Sequence, residues 1–256
     1  MSDDDRVDGE PYFAERPHAR PDRRELRFLY RGELLSFVVD TGVFASQRLD
    51  PGTALLIENL GVRPDDRVLD LGCGWGAVGV AAARSAPNGE VVLTDVNRRA
   101  ARLAEENLVR NRARNGSVRV GPGFEPVAGM AFDLVATNPP FRAGRETVLA
   151  MLGEVPGHLT PRGRLLLVGK GSQGILYYQR WLAEHWAPGV RVLARGSGYR
   201  VLEAPAPGTA PSGREPAAEG VKNRRSLGGR PREAGDASGA RRRKRAPATG
   251  TVIATG

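Results

Sequence analysis

The 256-residue chain predicts an α/β fold built on a mostly parallel sheet, and three observations carry the prediction. From Asp66 onward, apolar runs at 68–71, 91–94, 118–120, 132–137 and 164–168 alternate with stretches of helical periodicity. Near-continuous apolar runs are what strands buried on both faces require. The first run passes directly into Gly72, Gly74 and Gly76, followed by good helix formers, which is how a strand–turn–helix unit opens. The last two runs, 190–194 and 199–202, are joined by Gly196-Ser197-Gly198, which predicts an antiparallel hairpin closing the sheet.

Taken in order, folded pattern begins near Tyr12. Runs at 25–31 and 33–40 flank Arg31-Gly32, a hairpin signature. Asp50-Pro51 then supplies a cap and a first-turn proline for a helix through Leu60. Asn97 is placed to cap a helix in which Ala100, Leu103, Ala104 and Leu108 share one face, and 147–158 and 175–186 are further helices. No internal repeat is present.

The formal net charge of +9 divides unevenly. Residues 204–256 hold 11 Lys/Arg against 4 Asp/Glu, have no Phe, Trp or Tyr, and end near the cluster Arg241-Arg242-Arg243-Lys244-Arg245. That composition cannot offset the entropy of ordering. It reads either as an arm that follows RNA phosphates or as a solvated terminus. A single cysteine, Cys73, excludes a disulfide framework and any multi-cysteine metal site. No apolar run reaches bilayer length, and Met1 to Asp5 is acidic where a signal peptide is basic, so the expectation is a soluble, cytoplasmic protein.

The glycine loop is followed, about one βα unit later, by Asp95 at the end of the second strand, where a carboxylate can accept both hydroxyls of a ribose. Together they describe a nucleoside site. Gly74-Trp75-Gly76-Ala77-Val78-Gly79 also satisfies the dinucleotide fingerprint, so a nicotinamide-linked oxidoreductase is a competing reading. Asp70, just before the first glycine, opposes it, because a carboxylate there repels a pyrophosphate. A cationic ligand such as S-adenosylmethionine suits it better. Cys73 reads as a small loop residue and not as a nucleophile.

The predicted strand 132–137 ends in Asn138-Pro139-Pro140-Phe141. Two prolines remove amide donors, leaving a carbonyl such as that of Pro139 free to accept, and the Asn138 side-chain oxygen is a second acceptor. Two acceptors suit one planar NH₂ group, whose lone pair they release from the ring. Phe141 is placed to stack on the base. His18, His158 and His185 are scattered and form no constellation.

These residues resemble class I S-adenosylmethionine-dependent methyltransferases, and more narrowly the small-subunit ribosomal RNA guanine-N2 methyltransferase family with its single-domain members. The likeness covers roughly 12–204 and extends to Thr41-Gly42-Val43-Phe44-Ala45-Ser46, Leu49-Asp50-Pro51-Gly52-Thr53, Arg142-Ala143-Gly144 and Gly198-Tyr199-Arg200. It implies a Rossmann-like, seven-stranded sheet with an antiparallel last strand, methyl transfer to an exocyclic amine, and ribosomal RNA or the small subunit as partner. The expected cofactor set is Phe44, Asp70, Gly72, Cys73, Gly74, Gly76, Asp95, Val96, Phe124 and Asn138; the expected catalytic set is Asn138, Pro139, Pro140 and Phe141. Residues 1–11 read as a flexible N-terminus, 12–60 as a hairpin and helix extension, 61–203 as the catalytic domain and 204–256 as a disordered basic tail.

Two departures are visible. There is no room for the second, degenerate half found in tandem members. The acid usual after the third strand is absent from Val120-Gly121-Pro122-Gly123-Phe124, which predicts adenine held by backbone and by Phe124, with Glu125 as a substitute acid. The tetrapeptide alone leaves open a protein glutamine or a DNA amino group as acceptor, and a non-catalytic RNA-binding scaffold is a further class.

Overall fold

The computed structural model describes residues 22–40, 48–186 and 189–208. The expectations for Phe44, the start of the chain and the basic terminal cluster lie outside them. Among the described residues, no helix is long and apolar enough to cross a membrane.

Strands β1 (Arg24–Tyr30) and β2 (Glu33–Val39) form the predicted antiparallel hairpin. Arg31 and Gly32 take φ of 48° and 82°, the turn geometry whose twist matches that of paired strands. The inner face of the hairpin buries Phe37, which stacks on Phe28 at 5.0 Å and meets Trp75 edge-on at 5.0 Å. Burying such a ring stabilises the fold by about 1.5–3 kcal/mol.

The main sheet holds seven strands in the order β5-β4-β3-β6-β7-β9-β8. They are β3 (Arg67–Leu71), β4 (Glu90–Asp95), β5 (Gly116–Val120), β6 (Phe132–Thr137), β7 (Leu159–Lys170), β8 (Arg191–Gly196) and β9 (Tyr199–Pro205). Pairs among β3 to β7 are parallel, and β9 alone runs against both neighbours, as the final hairpin predicted. Alternation along β3 sets the two layers. Val68 faces the core shared with α1 (Pro51–Glu58), α2 (Ala77–Ser85) and α3 (Arg98–Arg110), whereas Leu69 and Leu71 face the core shared with α4 (Arg145–Glu154) and α5 (Ile175–His185).

The hairpin is joined to this body by two asparagines one helical turn apart, Asn107 on α3 and Asn111 at its C-cap. The Asn107 amide accepts from the Val38 N–H at 2.7 Å and donates to the Val38 carbonyl at 2.9 Å, and Asn111 does the same with Ser36 at 2.9 and 2.7 Å. Each side chain takes the place of a neighbouring strand, so β2 has no open edge at these positions.

The last strand runs further than predicted. Glu203 is buried between Arg164 at 3.1 Å and Arg191 at 2.6 Å, and Arg164 also donates to the Leu60 carbonyl at 2.6 Å. This buried charge cluster and the buried Ala204 and Ala206 keep residues 204–206 within the fold, where the start of a disordered tail was expected.

Because β4 and β5 lie on one side of β3 and β6 and β7 on the other, the winding reverses between β3 and β6. A crevice opens outside the carboxyl ends of strands at such a reversal.

Candidate active site

A cavity of about 450 Å³ occupies that crevice. Its lining includes Gly72 and Gly74 from the loop after β3, Asp95, Val96 and Asn97 after β4, Gly121 to Gly123 after β5, and Asn138 and Pro140 after β6. Gly72 and Gly74 have φ of 75° and 57°, and a Cβ on either would meet no protein atom within 4 Å. Their bare backbone is therefore wall surface, open to a ligand.

Asp95 is fixed by both oxygens, which accept from the Gly74 N–H and the Asn97 N–H at 2.8 Å each. Burial pushes its carboxyl up, and those two amides partly oppose the shift. Each oxygen keeps a second lone pair, so a hydroxyl pair can still be accepted. Asn97, whose side chain accepts from Arg99 and Ala100, caps α3 as predicted.

The loop amides separate the two ligand classes. Gly72 and Cys73 both donate to the Thr94 carbonyl at 2.9 Å, Gly74 donates to Asp95, and Gly76 donates to the Cys73 carbonyl at 2.9 Å. A dinucleotide loop needs such amides turned toward a pyrophosphate. Here they serve the protein and a carboxylate, which disfavours the nicotinamide reading.

Asp70 does not line the cavity. It is buried, and its Oδ2 accepts from the Gly79 N–H in the first turn of α2 at 2.7 Å. Gly76 caps that helix without a side-chain bond, and the strand carboxylate supplies what is missing. Burial above all pushes Asp70 up to about 7, with the Asp95 charge adding to it. Gly76 is likewise absent from the wall: a Cβ there would lie 3.1 Å from the Ala104 Cβ, so this glycine permits helix packing. Cys73 is buried, and burial pushes its thiol well above the ordinary value, in keeping with a loop residue.

Asn138 is held by the N-terminal segment. Its Nδ2 donates to Asp50 Oδ2 at 3.3 Å and to Thr53 Oγ1 at 3.1 Å. A carboxylate only accepts, so the amide nitrogen must face Asp50, and Oδ1 is left as the acceptor on the other side. Asp50 also caps α1 through the Thr53 N–H at 2.9 Å and takes a 2.6 Å bond from the Tyr199 hydroxyl. Burial, and then the bond to Asp50, push the tyrosine up, so it stays protonated and donates.

Two further expectations are refined and one more is corrected. The Pro139 carbonyl accepts the Phe141 N–H at 2.8 Å, closing a tight turn about Pro140, and keeps its second lone pair for a further donor. Phe141 is half-buried, with its tip over Gly169 and its ring 5.6 Å from that of Tyr178, so only part of the ring is left uncovered. Phe124 is buried in the core, stacked on His158 at 4.4 Å, because the 3₁₀ turn Glu125–Val127 folds it under the loop. Pro122 and Gly123 take its place in the wall, and Glu125 is exposed off the cavity.

Sequence reasoning missed the opposite wall. Thr147, Ala150, Met151 and Glu154 form one stripe of α4 along the cavity, while Val148 and Leu152 face the core. Glu154 Oε1 lies 3.8 Å from the Cβ position of Gly123, across from the loop where the strand-end acid is absent. Any amphipathic helix shows such a stripe, so spacing could not mark it.

The "Methyltransferase small domain" family matches residues 34–203. The chain is 30% identical to the uncharacterized protein YbxB of Bacillus subtilis (strain 168), covering 76% of this chain and 98% of that protein. It is 34% identical to the ribosomal RNA small subunit methyltransferase C of Pseudomonas syringae pv. syringae, covering 68% of this chain and 52% of that enzyme. Among solved structures, the T. thermophilus 16S rRNA N2 methyltransferase RsmC in complex with AdoMet and guanosine superposes with a TM-score of 0.60 at 27% identity, covering 74% of this chain and 52% of that one. The chain thus spans about half the length of the ribosomal RNA enzymes it matches. With a wound sheet, a cavity at its switch point and an oriented acceptor at the rim, the chain belongs to the methyltransferase small domain family, class I S-adenosylmethionine-dependent methyltransferases.

Proposed function

We propose that the protein methylates an exocyclic base amine in small-subunit ribosomal RNA, the amine being guanine N2, with S-adenosylmethionine as donor. The observation that carries this reading is the direction of the Asn138 amide, whose nitrogen is bound to Asp50 and Thr53. The names of the P. syringae and T. thermophilus proteins support the RNA and the guanine. Such a substrate puts the protein in the cytoplasm.

The residues present fit the donor. Asp95 would take the ribose hydroxyls, Val96 and Pro140 would give apolar surface to the adenine, Glu154 would take its amino group, and the bare backbone of Gly72 and Gly74 would admit the amino-acid end, since all of these line the cavity. When bound, the donor supplies an electrophilic methyl group on a sulfonium. Asn138 Oδ1 accepts one N–H of the acceptor amine, which withdraws its lone pair from conjugation with the ring and orients the nitrogen. Because Asp50 and Thr53 fix the amide before substrate arrives, little reorganisation is left for the reaction itself.

The test is incubation of the full chain with methyl-labelled S-adenosylmethionine and either unmodified small subunits, their RNA or a release-factor peptide, followed by mass-spectrometric mapping. Label on a guanine N2 is expected. Label on a release-factor glutamine and none on RNA would overturn the RNA reading.

A further inference from the structure

We propose that a basic and aromatic strip along the rim of the acceptor site, carried by Arg145, Tyr177, Lys170 and Arg200, binds the phosphates of single-stranded RNA on either side of the target nucleotide. The inference rests on the RNA reading above and adds the residues that hold the backbone.

Contacts make the strip continuous with Asn138. On one side, Phe141 leans on Tyr178, Tyr178 meets Tyr177 edge-on at 5.5 Å, and the Arg145 guanidinium lies 4.5 Å above the Tyr177 ring. On the other, Tyr199 donates to the carboxylate that holds Asn138, and Lys170 Nζ sits 4.8 Å from the Tyr199 ring centre. Arg200 is paired with Gly169 between β9 and β7, and its Nη1 lies 3.6 Å from the Cβ position of Gly171.

Several arginines away from the site are matched to acids, as Arg67 is with Glu90, Arg84 with Glu33 and Arg99 with Asp40. Among the described residues no acid forms an ion pair with Arg145, Lys170 or Arg200, and the Arg200 Nε is buried without a hydrogen-bond partner. Unmatched cations beside a site that takes a base are placed for phosphate. A guanidinium held over a tyrosine ring is anchored by cation–π attraction and still has N–H groups to offer a phosphate. Single-stranded RNA is the occupant because a base whose amine reaches Asn138 must leave its stack, which frees its flanking nucleotides.

The experiment measures binding of a fluorescein-labelled single-stranded RNA of mixed sequence to the full chain across a salt series, with a labelled acidic peptide in parallel. Arg145→Ala, Lys170→Ala and Arg200→Ala are each expected to weaken RNA binding several-fold and to reduce the slope against log salt by about 0.7. Arg102→Ala, on the exposed side of α3 at the other end of the sheet, is expected to leave both unchanged. Retained S-adenosylmethionine affinity by calorimetry reports folding, and Arg200→Gln replaces Arg200→Ala if the latter does not fold. In turnover, the strip variants are expected to raise KM for RNA far more than they lower kcat. A triple variant with the wild-type slope, or tighter binding of the acidic peptide than of RNA, overturns the strip. Methyl transfer to RNA in that case leaves the methylation reading intact, whereas strip-dependent RNA binding with no methyl transfer to any RNA overturns that reading alone.

Discussion

Asp50 holds the Asn138 side chain by its nitrogen, with Oδ2 accepting from Nδ2 at 3.3 Å, and thereby fixes which end of the amide is left for a substrate. The same carboxylate starts α1 and receives the Tyr199 hydroxyl. A residue of the N-terminal extension is thus tied, across 88 positions of sequence, to the motif at the end of β6.

Removing that carboxylate is expected to act on stability and on turnover separately. Asp50→Ala loses a helix cap, which costs about 1 kcal/mol, and leaves the Asn138 amide free to turn. Thermal unfolding should report the first effect, and kcat at saturating cofactor should fall about tenfold or more. Asp50→Asn retains one acceptor oxygen, enough for the Thr53 N–H and the Asn138 amide though not also for Tyr199, and should recover part of the turnover. Full kcat in Asp50→Ala would disprove the orienting role.

Cofactor affinity should divide among three acids. Asp95→Ala removes an acceptor that the Gly74 and Asn97 amides hold in place, and calorimetry should show a loss of about tenfold or more. Glu154→Ala should weaken binding less, and Glu125→Ala should have no effect, since Glu125 is exposed off the cavity. A Glu125→Ala loss equal to that of Asp95→Ala would contradict this assignment.

Stability should carry a pH signature from Asp70. Its ordinary value of 3.8 is raised by burial to about 7, so the folded state holds the proton more tightly than the unfolded chain. The stability this contributes is complete below 3.8 and is lost as pH rises through about 7. Asp70→Asn keeps an acceptor for Gly79 and cannot ionise. The stability of wild type relative to this variant should therefore fall between those limits, by at most about 4 kcal/mol. Parallel denaturation curves for the two proteins over that range would rule the effect out.

Two glycines should fail in opposite ways. A Cβ at Gly79 would lie 2.4 Å from Leu93 Cδ2, so Gly79→Ala overpacks the core and should cost about 1–3 kcal/mol. Gly72→Ala meets no atom but must adopt φ of 75°, and it fills wall surface. It should remain folded and lose cofactor affinity. The reverse pattern, measured by denaturation and calorimetry, would place the ligand elsewhere.

The backbone order was legible because strand runs, Gly-Ser-Gly turns and the Asp50 and Asn97 caps are local signals. The cavity wall was legible where a strand end carries a polar side chain beside special backbone, as Asp95 after the glycines and Asn138 before two prolines do. It was misread where a residue type serves two purposes and only packing decides. Asp70 could face a ligand or a helix N-terminus, and the unsupported start of α2 claims it. Phe124 could cover adenine or fill a core, and the 3₁₀ turn after it buries it on His158. The Pro139 carbonyl takes one local donor that the sequence reading left out, the Phe141 amide two residues on, and still has a lone pair to offer. Glu154 and the Asn107 and Asn111 links to β2 depend on contacts distant in sequence, which no spacing rule registers.

The most direct measurement compares wild type with Asn138→Ala for S-adenosylmethionine affinity by calorimetry and for methyl transfer to unmodified small-subunit RNA. The orienting role of Oδ1 predicts nearly unchanged cofactor affinity with turnover reduced by about 10²–10³. Turnover equal to wild type would contradict it.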